Sequence, residues 1–173
     1  MIRESVVTFA IVATLVLTSC SARENVRTQE QARGQTTTPE QARDQTMDVL
    51  NGTITASGAT DWVLDGDGSA IPQQCNADGE GGVTFGHGGY ATAPGGGPAA
   101  DAQRVADYWT SIGIETRVVA DPTPTVFGRG GPVNAISFGT APGYTISLGG
   151  MCVPGDPFDY YDDISAPAPT EAP

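Results

Sequence analysis

The chain has no lysine, a single histidine (His87) and three cysteines among its 173 residues. Each scarcity removes a class of chemistry. Without lysine there is no G-x-x-x-x-G-K-[ST] phosphate loop, although Gly81–Gly89 has the glycine density of one. With one histidine and no C-x-x-C pair, a zinc site lacks ligands. No G-x-S-x-G nucleophile elbow occurs. Positive charge is scarce too: eight basic residues, all arginine, stand against twenty acids, a formal net charge of −12. Long apolar runs are nearly absent. Val6–Leu17 is the one such run, shorter than the roughly 20 residues a spanning helix needs, and no second run follows.

That one run carries most of the information about location. Arg3 precedes it, small residues Thr18 and Ser19 follow it, and Cys20 comes next, the layout of a secretory signal. Leu17-Thr18-Ser19-Cys20 resembles the lipobox of bacterial lipoproteins. The resemblance implies a signal peptide over residues 1–19, a diacylglyceryl group on the Cys20 thiol, and Cys20 as first residue of the mature chain. Dual acylation contributes about 0.8 kcal/mol per buried CH₂ and anchors stably where one chain does not. It implies a cell-membrane protein, lipid-anchored on the extracytoplasmic face, with the bilayer as first partner. Lipidation of Cys20 leaves Cys75 and Cys152 as an even pair. Exported domains with two cysteines usually join them, so a Cys75–Cys152 disulfide is expected, with free thiols or a metal site as alternatives.

Residues 20–37 read as the lipidated cysteine and a flexible tether, polar and charged, with Val26 its one large apolar residue. The tether contains a ten-residue repeat: Thr28-Gln-Glu-Gln-Ala-Arg33 recurs as Thr38-Pro-Glu-Gln-Ala-Arg43. Two copies this short build no solenoid. Residues 38–163 read as one α+β globular domain, and residues 164–173 as a disordered Pro/Ala tail. Over 47–163, fourteen acids face Arg104, Arg117 and Arg129, a net of −11. Such a domain repels nucleic acid and anionic headgroups, so no nucleic-acid partner is expected. Cationic partners and metal ions remain allowed.

Within the domain, Thr38 and Gln41 form a capping box with Pro39 at the first helical position. A helix is predicted over 39–56, with Met47, Leu50 and Ile54 inward and Gly52, Thr53 and Thr55 weakening its end. Trp62–Leu64 pins the connection to the core, and Asp65–Gly82 reads as a loop. Gly82–Ala93 reads as a strand with a bend or bulge at Gly86–Gly89. Ala102, Val105, Ala106, Trp109 and Ile112 make a helical stripe over 101–112, stopped at Gly113 and centring the core on Trp109. Strands follow at 114–118, 134–138 and 144–148, with Asp121–Pro124 ending a strand or lying at an edge and Gly128–Pro132 a hairpin loop. The expected fold is α+β: two helices packed on one face of a mainly antiparallel sheet of about four strands, in the order α-β-α-β-β-β.

The lipobox, the first helix, Cys75, the ADAQRVADYWTSIGI helix and the closing Met151-Cys152-Val153-Pro154-Gly155 together resemble small actinobacterial surface lipoproteins of unknown function. The resemblance spans residues 39–160 in layout and supplies no catalytic residues.

The candidate sites are thin. His87, in Gly86-His-Gly-Gly89, suits a general base or ligand, or simply a polar side chain on a Gly-rich strand. Asp65-Gly-Asp67-Gly-Ser69 resembles the start of a calcium loop, but Ala70 and Asn76 stand where an EF-hand needs Gly and Glu. A weak calcium site at Asp65 and Asp67 is the remainder. Asp156–Asp163 is acidic and aromatic, suited to a basic partner or to a last ordered turn, and Arg129 is a solvated loop tip. No catalytic, metal or cofactor set emerges. The expected role is a non-enzymatic envelope module that binds an envelope protein or small ligand. The alternative is an envelope hydrolase using Asp65, Asp67, Asp78 or Glu80 with His87; convergence of those groups in a concave pocket distinguishes the two.

Overall fold

Thr38 begins the fold of the domain. In the computed structural model, which describes residues 37–77 and 79–161, its hydroxyl accepts from the Gln41 N–H while the Gln41 side chain accepts from its own N–H, closing the capping box. Helix α1 then runs Pro39–Ser57 and ends on Gly58 in the left-handed region, at φ 68°. Strands β1 (Thr60–Leu64), β2 (Ile71–Ala77) and β3 (Glu80–Ala93) follow. Helix α2 (Pro98–Ser111) comes next, then β4 (Glu115–Val119), β5 (Thr125–Gly130), β6 (Val133–Gly139), β7 (Tyr144–Gly150) and β8 (Val153–Pro154). A single 3₁₀ turn, Pro157–Tyr160, closes the described chain.

The eight strands form one antiparallel sheet, so the expected sheet of about four strands is corrected. Its path is β1-β3-β7-β6-β5-β4, with β2 and β8 also paired to β3. β1 pairs with residues 89–93 of β3 and β2 with residues 80–86, so the two lie end to end along one side of β3, parted by residues 65–70. β7 and β8 lie end to end on its other side, parted by Met151 and Cys152. The element order is therefore α-β-β-β-α-β-β-β-β-β, not α-β-α-β-β-β. The α+β class and the two helices on one face stand, since both helices and the inward strand residues share one core.

Four strands, β1, β2, β5 and β8, add to the expected ones, and for β2 and β5 the physical reason is plain. β2 carries Gln73, Gln74 and Asn76, which hide the apolar alternation, and Pro72, tolerated because an edge strand can spare a ladder donor. The hairpin loop expected over Gly128–Pro132 is corrected: β5 continues through Gly128 to Gly130, and the turn shrinks to Gly131-Pro132. At Gly128 a Cβ would meet Ile114, Ile136 and the Trp109 ring at 2.7–3.0 Å, so the glycine makes room for the indole. Gly86–Gly89 is not a bend or bulge: the register with β7 runs unbroken from Gly86 to Ala91.

Trp109 is fully buried and centres the core with Leu50, Phe138 and Tyr144. Its indole N–H donates to the Thr53 hydroxyl at 2.8 Å, and that hydroxyl donates to the Val49 carbonyl at 2.6 Å. A second, smaller cluster of Ala42, Ala70, Val83, Phe85 and Val153 is closed by Tyr160, which packs edge-on against Phe85 and donates to Glu40.

Asp101 is the buried charge that joins the layers. One oxygen accepts from the Gly97 N–H at 3.1 Å and from the Tyr144 hydroxyl. The other lies 2.7 Å from the Arg104 guanidinium as an ion-pair contact outside hydrogen-bond geometry. Arg104 donates to the Ala56 and Ser57 carbonyls, so the end of α1, the start of α2 and β7 are held together. Burial pushes the Asp101 carboxyl up, but Tyr144, Gly97 and Arg104 together outweigh it and leave it below its ordinary value. Tyr144 is pushed up to about 12, by burial first and by Asp101 second.

Candidate functional site

Side-chain alternation assigns β3 two faces. Val83, Phe85, His87 and Ala91 point toward the helices; Thr84, Gly86, Gly88 and Tyr90 point away. On β7 the outward positions are Thr145, Ser147 and Gly149, and on β6 they are Ala135, Ser137 and Gly139, each opposite a partner on the neighbouring strand. The middle of the open face is thus three strands of glycine, alanine and small hydroxyl residues, roughly 10 Å across. Taller side chains stand on both sides. Asp65, Ile71 and Gln73 rise on the β1/β2 side and Phe127 on the β5 side, enclosing a trough of about 600 Å³.

The glycines of the floor are explained by what lies over them. A Cβ at Gly88 would meet an Asp65 carboxylate oxygen at 2.5 Å, and one at Gly86 the Gln73 amide at 3.0 Å. The Gly-rich run of β3 therefore lets two polar side chains lie against it. On the far rim, the Arg117 guanidinium stacks over the Phe127 ring, 4.8 Å from its centroid, and Arg129 forms a paired contact with Glu115 at 3.1 and 3.3 Å. The side chains of Asp65, Gln73, Ser137 and Ser147 have no hydrogen-bond or ion-pair partner within the described residues.

The sequence candidates are placed as follows. Cys75 and Cys152 form the disulfide, with Cα atoms 6.0 Å apart. Cys75 sits opposite Gly82 on β3, and Cys152 lies in the break between β7 and β8. A Cβ on Gly82 would be 3.0 Å from the Cys152 sulfur and 2.7 Å from the Val153 carbonyl, so the bridge closes over a glycine. Cys20 lies outside the described residues, and so does Asp78.

His87 is buried on the helix side, opposite Leu148, with Nδ1 donating to the Gly88 carbonyl at 2.9 Å and Nε2 without a partner. Asp65 and His87 both line the trough, but Asp65 lies over the open face at Gly88 while alternation turns the buried imidazole to the helix side, so no hydrogen bond joins the two side chains. Glu80 is exposed at the start of β3. Asp67 accepts from the Ser69 N–H at 2.9 Å, which with the Ser69 hydroxyl lowers its carboxyl, and His87 adds the smallest of the lowering influences. The calcium-loop start is thus a turn that caps itself, with Gly68 donating to the Asp65 carbonyl. Among the described residues no three His, Cys, Asp or Glu groups gather as a metal site. Asp156 caps the last 3₁₀ turn through the Phe158 N–H.

Ser137, Ser147, Gln73, Phe127 and Arg117 were not singled out in the sequence. The signal was small: open-face strand positions normally carry long polar side chains, and here they carry Gly, Ala and Ser. No family model, no curated protein and no solved structure matches the chain.

Proposed function

We propose that this is a cell-envelope lipoprotein of the kind found on actinobacterial surfaces, held by lipid on Cys20, and that it is a non-enzymatic binding module whose ligand occupies the open-face trough. The observation that carries the binding role is the trough itself: a concave face of about 600 Å³ that no described residue covers, with polar side chains unengaged by the described residues around a floor of small ones. That volume falls in the range of small-ligand sites. The lipobox, the tether of residues 20–37 and the disulfide support the exported, anchored setting. The net charge of −11 over residues 47–163 speaks against nucleic acid and anionic lipid as ligands.

A photo-crosslinking side chain placed at Ser147 of the full chain in its own cells, with a second at Asp107 on the exposed side of α2, tests the reading. Adducts from position 147 and not from 107 support it. No adduct from 147, or equal yields from both, overturn it.

A further inference from the structure

We infer that the trough takes an uncharged oligosaccharide. This rests on the reading of the trough as the binding surface and adds the class of ligand. Four properties of the site lead there. First, the centre of the floor carries no large side chain: Gly86, Gly88, Gly149, Ser137 and Ser147 stand there, and Ile71 and Phe127 are confined to opposite rims, so an acyl chain finds no continuous apolar track. Second, the floor strands β3, β7 and β6 have ladder partners on both sides, so an extended peptide laid across them finds no backbone to pair with.

Third, the rims carry opposite charges, Asp65 on one side and Arg117 on the other, inside a domain whose net charge is −11. With Glu115 paired to Arg129, the local field is balanced while the distant field is negative, which disfavours polyanions and gives a polycation only one unpaired carboxylate at the rims. Fourth, the unengaged groups are a carboxylate, an amide and two hydroxyls, acceptors and donors spaced around a shallow trough, and Phe127 presents a half-exposed ring at its edge. Sugar hydroxyls satisfy mixed donors and acceptors at once, and the C–H faces of a pyranose stack on an aromatic ring. A neutral glycan meets all four conditions.

The test is a titration of the full chain, isotope-labelled and held in detergent, with chitohexaose, maltohexaose, mannohexaose and cellohexaose. Hexagalacturonate, palmitate and an arginine-rich peptide serve as contrasts. The expected result is millimolar or tighter binding of at least one neutral hexasaccharide, with amide shifts at Gly86, Gly88, Ser137 and Ser147. Ser147→Trp, which fills the trough from a solvent-facing position, and Phe127→Ala each weaken that binding about tenfold, and Asp107→Ala leaves it unchanged. If palmitate or the peptide shifts the trough and no neutral glycan does, the site stands and the ligand class falls. If glycans shift only residues outside the trough, or nothing shifts the trough at all, the inference falls together with the site.

Discussion

The indole N–H of Trp109 ends on the hydroxyl of Thr53, 2.8 Å away in the seam between α1 and α2, and neither side chain is exposed. Thr53 thus serves two purposes: it turns its methyl to the core and gives the buried N–H its acceptor. Thr53→Val keeps the shape and removes the acceptor, which should cost about 1–3 kcal/mol through the unpaired indole. Trp109→Ala should cost about 3–5 kcal/mol. Urea denaturation of the two single variants and the double variant checks this; additive losses would show that the bond contributes nothing of its own.

Glycine positions divide into those that are filled over and those that are open. Gly128→Ala drives a methyl into Ile114, Ile136 and Trp109 and should destabilise by about 1–3 kcal/mol. Gly96→Ala meets nothing within 4 Å and should be near neutral. Equal denaturation midpoints for the two variants would contradict the packing described around Trp109.

The Asp101–Tyr144 pair makes stability fall at both ends of the pH scale. Asp101 has a lowered folded-state pKa, so its contribution is full above its ordinary value and is lost as pH falls through the folded value. Tyr144 is raised from 10.0 to about 12, so its contribution is full below 10 and is lost as pH rises toward 12. Tyr144→Phe should flatten the alkaline limb, and Asp101→Asn the acid limb, in urea midpoints measured across pH. An alkaline limb unchanged in Tyr144→Phe would rule out the assignment.

The Cys75–Cys152 bridge closes a loop of sequence separation 77, for which loop entropy gives about 4–5 kcal/mol. Reduction should lower stability by up to that amount. Gly82→Val should have the same effect without reductant, because a side chain there takes the space of the Cys152 sulfur. Mass spectrometry after alkylation should find two free thiols in that variant and none in the parent chain.

Long-range pairing was the part of the fold least visible in the residues. Local signals were plain: the Thr38/Gln41 capping box started α1, the Ala102–Trp109 stripe marked the buried side of α2, and Ile136/Phe138 and Tyr144/Ile146/Leu148 pointed inward as their alternation indicates. β2 escaped because its helix-facing positions are Pro72, Gln74 and Asn76 while Ile71 and Ala77 fall on the open side, so no inward apolar period shows. β5 escaped because Gly128 is required by the Trp109 ring and not by a turn. The trough escaped for a related reason: a site made of small side chains on three separate strands leaves no contiguous motif. His87 drew notice as a chemical group, yet alternation along β3 turns it to the helix side, away from Asp65.

Everything proposed of the protein's setting depends on the proposed modification of Cys20. Labelled palmitate fed to producing cells, followed by immunoprecipitation of the wild type and of a Cys20→Ala variant, measures it directly. Label in the wild type alone, with the variant released to the medium, is the predicted result. Absence of label from the wild type, or equal label in both, would contradict the lipid anchor.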